Sequence, residues 1–212
     1  MVKNIEKIYD KIREDILADR YRQGEPLPEQ KLSLKYGISR SRVRQILQKL
    51  ETDTLVEKIP GKGAFVRTIT AKDLKKIFEM REALEGMATR LAAKRREAEK
   101  LDEIRSSFDH PGPDDLRRKI QAGKNLHLYI LSSCRNELII NAMEPIMIQM
   151  MKVLRDSAYI PNRVNEAYLE HRQILKAIVE QDEDLAEKFM KDHLTNAFKE
   201  YLNAMFYQYL DA

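Results

Sequence analysis

The 212 residues suffice for one or two domains with real cores, and a content of 43% hydrophobic and 34% charged residues excludes both a disordered chain and a disulfide-stapled mini-protein. Seven Gly and seven Pro are few for a sheet-rich protein and point to long, polar-faced helices. The net charge of +4 is too mild to name a partner as a total. Divided along the chain it is uneven: residues 1–70 carry 15 Lys/Arg against 10 Asp/Glu, or +5, and residues 71–212 carry 23 against 24, or −1. The lone Cys134 permits no internal disulfide and fits a reducing compartment. No charged-then-apolar leader opens the chain and no uncharged apolar run nears the roughly 20 residues of a membrane span, so a soluble, cytoplasmic protein is expected.

In chain order, Ile5, Ile8, Ile12 and Ile16 recur every three or four residues and predict an amphipathic helix over 4–19, ending before Gly24. A short helix fits Glu29 to Lys35, Tyr36-Gly37-Ile38 a tight turn, and Ser39 an N-cap for a third helix running to Glu51. Val56–Ile59 and Ala64–Arg67 read as strands around a Pro60-to-Gly63 turn. Three short helices and a hairpin make a winged helix-turn-helix pattern. A helix is expected from 72 to 97, continuing to Phe108, and then a turn over 109–115 with Asp114 or Asp115 as cap. A helix runs from there to Ser133, and another from Glu137 is interrupted, kinked or restarted at Pro145. The last two helices, 163–180 and 184–210, form a hairpin. The fold class is therefore mainly α: a winged helix-turn-helix domain over 1–67, a linker over 68–72, and an all-α antiparallel bundle over 73–212.

The basic excess of the front clusters in Lys31, Lys35, Arg40, Arg42, Arg44 and Lys49, a run without an acid. Such a patch attracts phosphates. On the third helix Val43, Ile46, Leu47 and Leu50 share the core stripe. Ser41, Arg44, Gln45 and Gln48 face away, and these are types that hydrogen-bond base edges. Arg44 and Arg40 are the expected base readers. Lys31, Ser39, Arg42 and Lys62 suit phosphate contact, and Gly61 lets the wing backbone approach a groove.

Of the four histidines, His110 sits in the Pro/Gly turn and reads as solvent-exposed, while His127, His171 and His193 lie on interior stripes. His171 and His193 are equidistant from Asp182, so in an antiparallel hairpin their rings stand level. With His127 from a neighbouring helix, the three imidazoles make a metal site or an anion pocket; each alone could be a hydrogen-bonded core residue.

Gly24-Glu25-Pro26-Leu27, Gly37-Ile38-Ser39-Arg40-Ser41-Arg42-Val43-Arg44, Leu55-Val56 and Gly63-Ala64-Phe65-Val66 resemble the winged helix of GntR-family transcription regulators, with Arg42, Gln45-Ile46 and Thr54 departing from the frequent proline, Glu-Ala and glycine. Met80-Arg81-Glu82-Ala83-Leu84-Glu85, Leu126-His127, Glu170-His171-Arg172 and Asp192-His193 resemble the FCD effector domain of the FadR-like branch. The resemblance implies a divalent metal, zinc or nickel, on His127, His171 and His193, helping to hold a small carboxylate effector. It puts Gly123 where an aspartate ligand is expected. It also matches Arg81 to an arginine that can face the effector, against the alternative of an ion pair with Glu85. The same resemblance implies a homodimeric regulator, a repressor in the commoner family mode, reading a palindromic operator in double-stranded DNA. A three-His metalloenzyme is the competing class, and no inward carboxylate is evident beside the histidines to serve it. A DNA-binding protein whose helical domain only dimerises is the third reading.

Overall fold

The computed structural model describes residues 5–109, 112, 115–157 and 161–210, with side chains for all but 151–157, 161 and 204–210. His110 lies outside the described residues. The chain divides into two compact units, residues 1–70 with 147–154 and residues 71–146 with 155–212.

In the first unit, α1 (Ile5–Leu17), α2 (Glu29–Tyr36) and α3 (Arg40–Thr52) precede an antiparallel hairpin of β1 (Val56–Ile59) and β2 (Gly63–Val66), paired Val56 to Val66 and Ile59 to Gly63. The predicted apolar stripes are its core: Ile12, Ile16, Leu32, Val43, Ile46, Leu47 and Leu50 are all buried. Gly37, at φ 61°, ends α2 in the left-handed turn that a Cβ disfavours, and the Ser39 side chain accepts from Arg42 N to start α3. At the other end of α3, Leu55 N bonds Leu50 O and Thr54 N bonds Glu51 O. These are the two bonds of a Schellman cap, and they hold Thr54 at φ 60°. Position 54 thus needs the glycine that the sequence lacks.

In the second unit α4 (Ala71–Lys94) packs on α9 (Glu183–Leu210) and α6 (Leu116–Ser133), and α8 (Pro161–Glu180) packs on α9 and α6. The expected continuous helix to Phe108 is broken at Arg95–Glu97, where α5 (Ala98–Ser107) begins. No Gly or Pro marks the break. Side chains impose it, because Arg95 donates to the carbonyl oxygen of Cys134 and Arg96 to that of Val179, near the C-terminal ends of α6 and α8. Asp115 caps α6 by accepting from Arg118 N. The helix α7 (Glu137–Ser157) is neither interrupted nor restarted at Pro145. The proline withholds one N–H from the ladder at Asn141, an exposed residue whose carbonyl water can serve. Among the described residues, no helix is long and apolar enough to cross a membrane.

Candidate functional site

The first candidate site is the outer face of α3. Ser41, Arg44, Gln45, Gln48 and Lys49 are exposed and Arg42 is half-buried, opposite the buried Val43, Ile46, Leu47 and Leu50. Neither Arg44 nor Arg40 stands alone. The Nε of Arg44 donates to both carboxylate oxygens of Glu29, at 2.8 and 2.9 Å, and the Nε of Arg40 lies 3.8 Å from the same carboxylate. The bond from Arg44 holds the Glu29 carboxyl below its ordinary range. Glu29 lies just outside the acid-free stretch, so the run of cations concealed the pairing. Lys49 donates to Glu6 at 2.5 Å, and Lys35 bonds the Tyr21 hydroxyl at 2.8 Å. Among the described residues the side chains of Lys31, Arg42 and Lys62 form no ion pair, which leaves them available to anions. The Ser39 hydroxyl is engaged in its cap and lies 2.9 Å from that of Ser41. At the hairpin tip Gly61 and Lys62 are exposed, and Gly61 has φ 73°, so the turn itself requires that glycine.

The second candidate site lies inside the helical unit. His127 on α6, His171 on α8 and His193 on α9 bring ring nitrogens within 4.8 Å of one another. The His171 and His193 ring centroids are 4.4 Å apart, and Nε2 of His127 is 3.2 Å from Nε2 of His171. Carboxylates stand behind two of the rings. His127 Nδ1 is 2.7 Å from Glu85 Oε2, and His193 Nδ1 is 2.6 Å from Glu170 Oε2. Each ring donates through Nδ1 to its carboxylate, so the Nε2 lone pairs turn toward the shared centre. Glu85 also accepts from Arg81 Nε at 2.5 Å, and Glu170 accepts from Arg163 at 2.7 Å and from Asn196 at 2.9 Å.

The absence of an inward carboxylate, expected from the sequence, is therefore corrected. Glu85 follows Phe78 and Arg81 on the buried stripe of α4, and a charge on an apolar stripe was the available signal. Glu170 is off the interior stripe of α8, and no periodicity marks it. Arg81 is buried and already held by Glu85, so the ion pair weighed against effector contact is the one formed.

Burial opposes ionisation of Glu85, but Arg81 and His127 beside it hold its carboxyl well below the carboxylate range. Burial likewise opposes ionisation of Glu170, and the bonds from His193 and Arg163 bring it down to about 2. For the imidazoles burial has the reverse result. It takes His193 down to about 4 despite the bond to Glu170, and with the neighbouring His193 and His127 it pushes His171 well below its ordinary value. Carboxylate-backed imidazoles are donors that a transition metal uses, and burial favours the neutral, ligating form of His171 and His193.

Two geometric facts test the fit. Nitrogens each 2.0–2.1 Å from a tetrahedral ion stand about 3.3–3.4 Å apart, close to the 3.2 Å between His127 and His171 Nε2. In addition, the buried His171 Nδ1 has no hydrogen-bond partner among the described residues. The donor chemistry suits a three-imidazole site, and the nitrogens, spread over up to 4.8 Å, would have to draw together to share one ion. At Gly123 an added Cβ would lie 2.5 Å from His171 Cε1 and 2.7 Å from Nδ1. The expected aspartate position is thus filled by the His171 ring, which rests on the bare helix backbone.

The chain matches the family described as bacterial regulatory proteins, gntR family, over residues 4–66, and the FCD domain over residues 76–196. It is 29% identical over 193 residues to the "Probable D-xylose utilization operon transcriptional repressor" of Paenarthrobacter nicotinovorans, covering 89% of this chain and 84% of the relative. It is 24% identical over 196 residues to the HTH-type transcriptional repressor RspR of Escherichia coli, covering 89% and 85%. In fold it is similar to the solved structure of E. coli McbR/YncC, with a TM-score of 0.71 at 17% identity, over 99% of this chain and 100% of the other.

Proposed function

Because the chain belongs to the GntR family of bacterial regulatory proteins with an FCD domain, and is a transcriptional regulator, we propose that it represses its target genes until a small carboxylate binds the helical unit. In this reading residues 1–67 bind DNA, 68–72 link, and 73–212 sense and dimerise, so that two copies address the two halves of a palindromic operator. Arg44 and Arg40 read bases, assisted by Ser41, Gln45 and Gln48. Lys31, Arg42 and Lys62 contact phosphates, with Ser39 fixing the start of α3 and Gly61 shaping the wing tip.

The observation that carries the sensing half is the trio of imidazole nitrogens within 4.8 Å, two of them backed by carboxylates. His127, His171 and His193 would hold a divalent ion, zinc or nickel, which supplies a Lewis-acidic position for the effector carboxylate. Glu85 and Glu170 orient His127 and His193 and keep the protons on Nδ1. Gly123 admits the His171 ring. Arg81 holds Glu85 through its Nε, and its Nη groups remain to meet the effector carboxylate. Effector and DNA affinities are coupled, and the coupling is reciprocal.

A gel-shift titration of the zinc-loaded chain on the DNA upstream of its own gene tests this. A specific complex at moderate salt that dissolves on adding a pool of small carboxylic acids is expected. No specific complex would count against the regulator's proposed operator. A complex indifferent to acids and to chelator would reduce the helical unit to a dimerisation module.

A further inference from the structure

Glu29 enters the DNA-binding surface only as the partner of Arg44. It is the first residue of α2, a helix anchored by the buried Leu32 and closed by the left-handed Gly37, so its carboxylate is presented from a fixed point. That carboxylate meets Arg44 through both oxygens at 2.8 and 2.9 Å and lies 3.8 Å from Arg40. We propose that Glu29 is a specificity-determining residue, which grips Arg44 by its Nε edge and aims the two Nη groups at a guanine. The proposal rests on the assignment of Arg44 as a base reader.

The chemistry is that of the guanidinium fork. Of five N–H donors, Nε–H is consumed by Glu29, and the four on Nη1 and Nη2 remain, the pair that guanine O6 and N7 accept. An unheld arginine on an exposed helix face samples many rotamers and finds phosphates as readily as bases. A held one has lost that freedom before DNA arrives. The Glu29 charge adds a second effect. It repels the phosphate backbone, which weakens binding to every DNA sequence, and the loss is recovered only where a guanine accepts the Arg44 fork. The basic patch is accordingly divided. Among the described residues Lys31 and Arg42 form no ion pair and suit phosphates, whereas Arg44 and Arg40 converge on one acid.

The test uses the full chain and the duplexes that the wild type selects from a random-sequence pool. Affinities for the selected duplex, for each single-base variant of it and for an unrelated duplex are measured for wild type, Glu29→Gln, Arg44→Ala and the double variant, with circular dichroism to check folding. Arg44→Ala should relax one guanine position by about tenfold or more. Glu29→Gln should relax the same position and tighten binding to the unrelated duplex severalfold, and in the double variant it should add nothing to the loss of base preference that Arg44→Ala causes. Equal tightening on all duplexes by Glu29→Gln, or relaxation at a different base pair, would overturn the proposal while leaving Arg44 as a reader. Unchanged base preferences in Arg44→Ala would overturn both.

Discussion

Arg44 with Glu29 and Arg81 with Glu85 are the same chemical pair in two settings. On α3 the arginine side chain is 65% exposed, and water shares its charge with the carboxylate. On α4 the arginine side chain is 10% exposed and the glutamate 3%, and His127 closes the other side. The first pair can open and re-form at small expense, because water takes up either charge. The second cannot release either partner without stranding a charge away from water. One unit therefore keeps its ion pair exchangeable with water, and the other uses its pair as a frame beside buried imidazoles.

The largest expected effect lies in the buried pair. Glu85→Gln should lower the unfolding free energy by about 3–5 kcal/mol in urea denaturation, since Arg81 is left buried without a counter-charge. A loss near zero would erase the contrast between the units. Gly123→Ala comes next. The new methyl meets the His171 ring, and crowding of about 1–3 kcal/mol should exceed the gain of about 1 kcal/mol that alanine brings to a helix interior. A higher melting temperature would mean that the ring does not rest there. Thr54→Gly should act in the opposite direction, stabilising the winged unit by about 1 kcal/mol on relief of a β-branched residue at φ 60°. Smallest of all, Glu29→Gln should leave the melting temperature unchanged within error, because its partner stands in solvent. A large drop would place that pair with the buried one.

The winged unit was legible from sequence because its signals are local. The α3 stripe, the Ser39 cap and the hairpin turn are each settled within a few residues, and the observed strands lie within one residue of those expected. Thr54 shows the local code misspelt yet obeyed: the cap forms with a left-handed threonine because its two bonds and the burial of Leu55 outweigh the strain. In the helical unit, periodicity turned three histidines inward, and equal distances from Asp182 made two of them level. The carboxylates behind them were another matter. Glu85 sits four residues after Arg81 and imitates a surface i,i+4 pair, and Glu170 occupies a flank that helical spacing does not distinguish. The break at Arg95–Glu97 was hidden for a related reason, since its cause is the carbonyls of Cys134 and Val179, tens of residues away. Chain contacts that close over such distances leave no mark at the spacing of a helix.

Whether the buried trio is a metal centre is decided by the metal content of the full chain after zinc loading and exhaustive desalting, read by inductively coupled plasma mass spectrometry. One ion per chain is expected, lost in His171→Ala and in His127→Ala while circular dichroism shows both variants folded. No retained metal in the wild type, or equal metal in wild type and variants, would contradict the assignment.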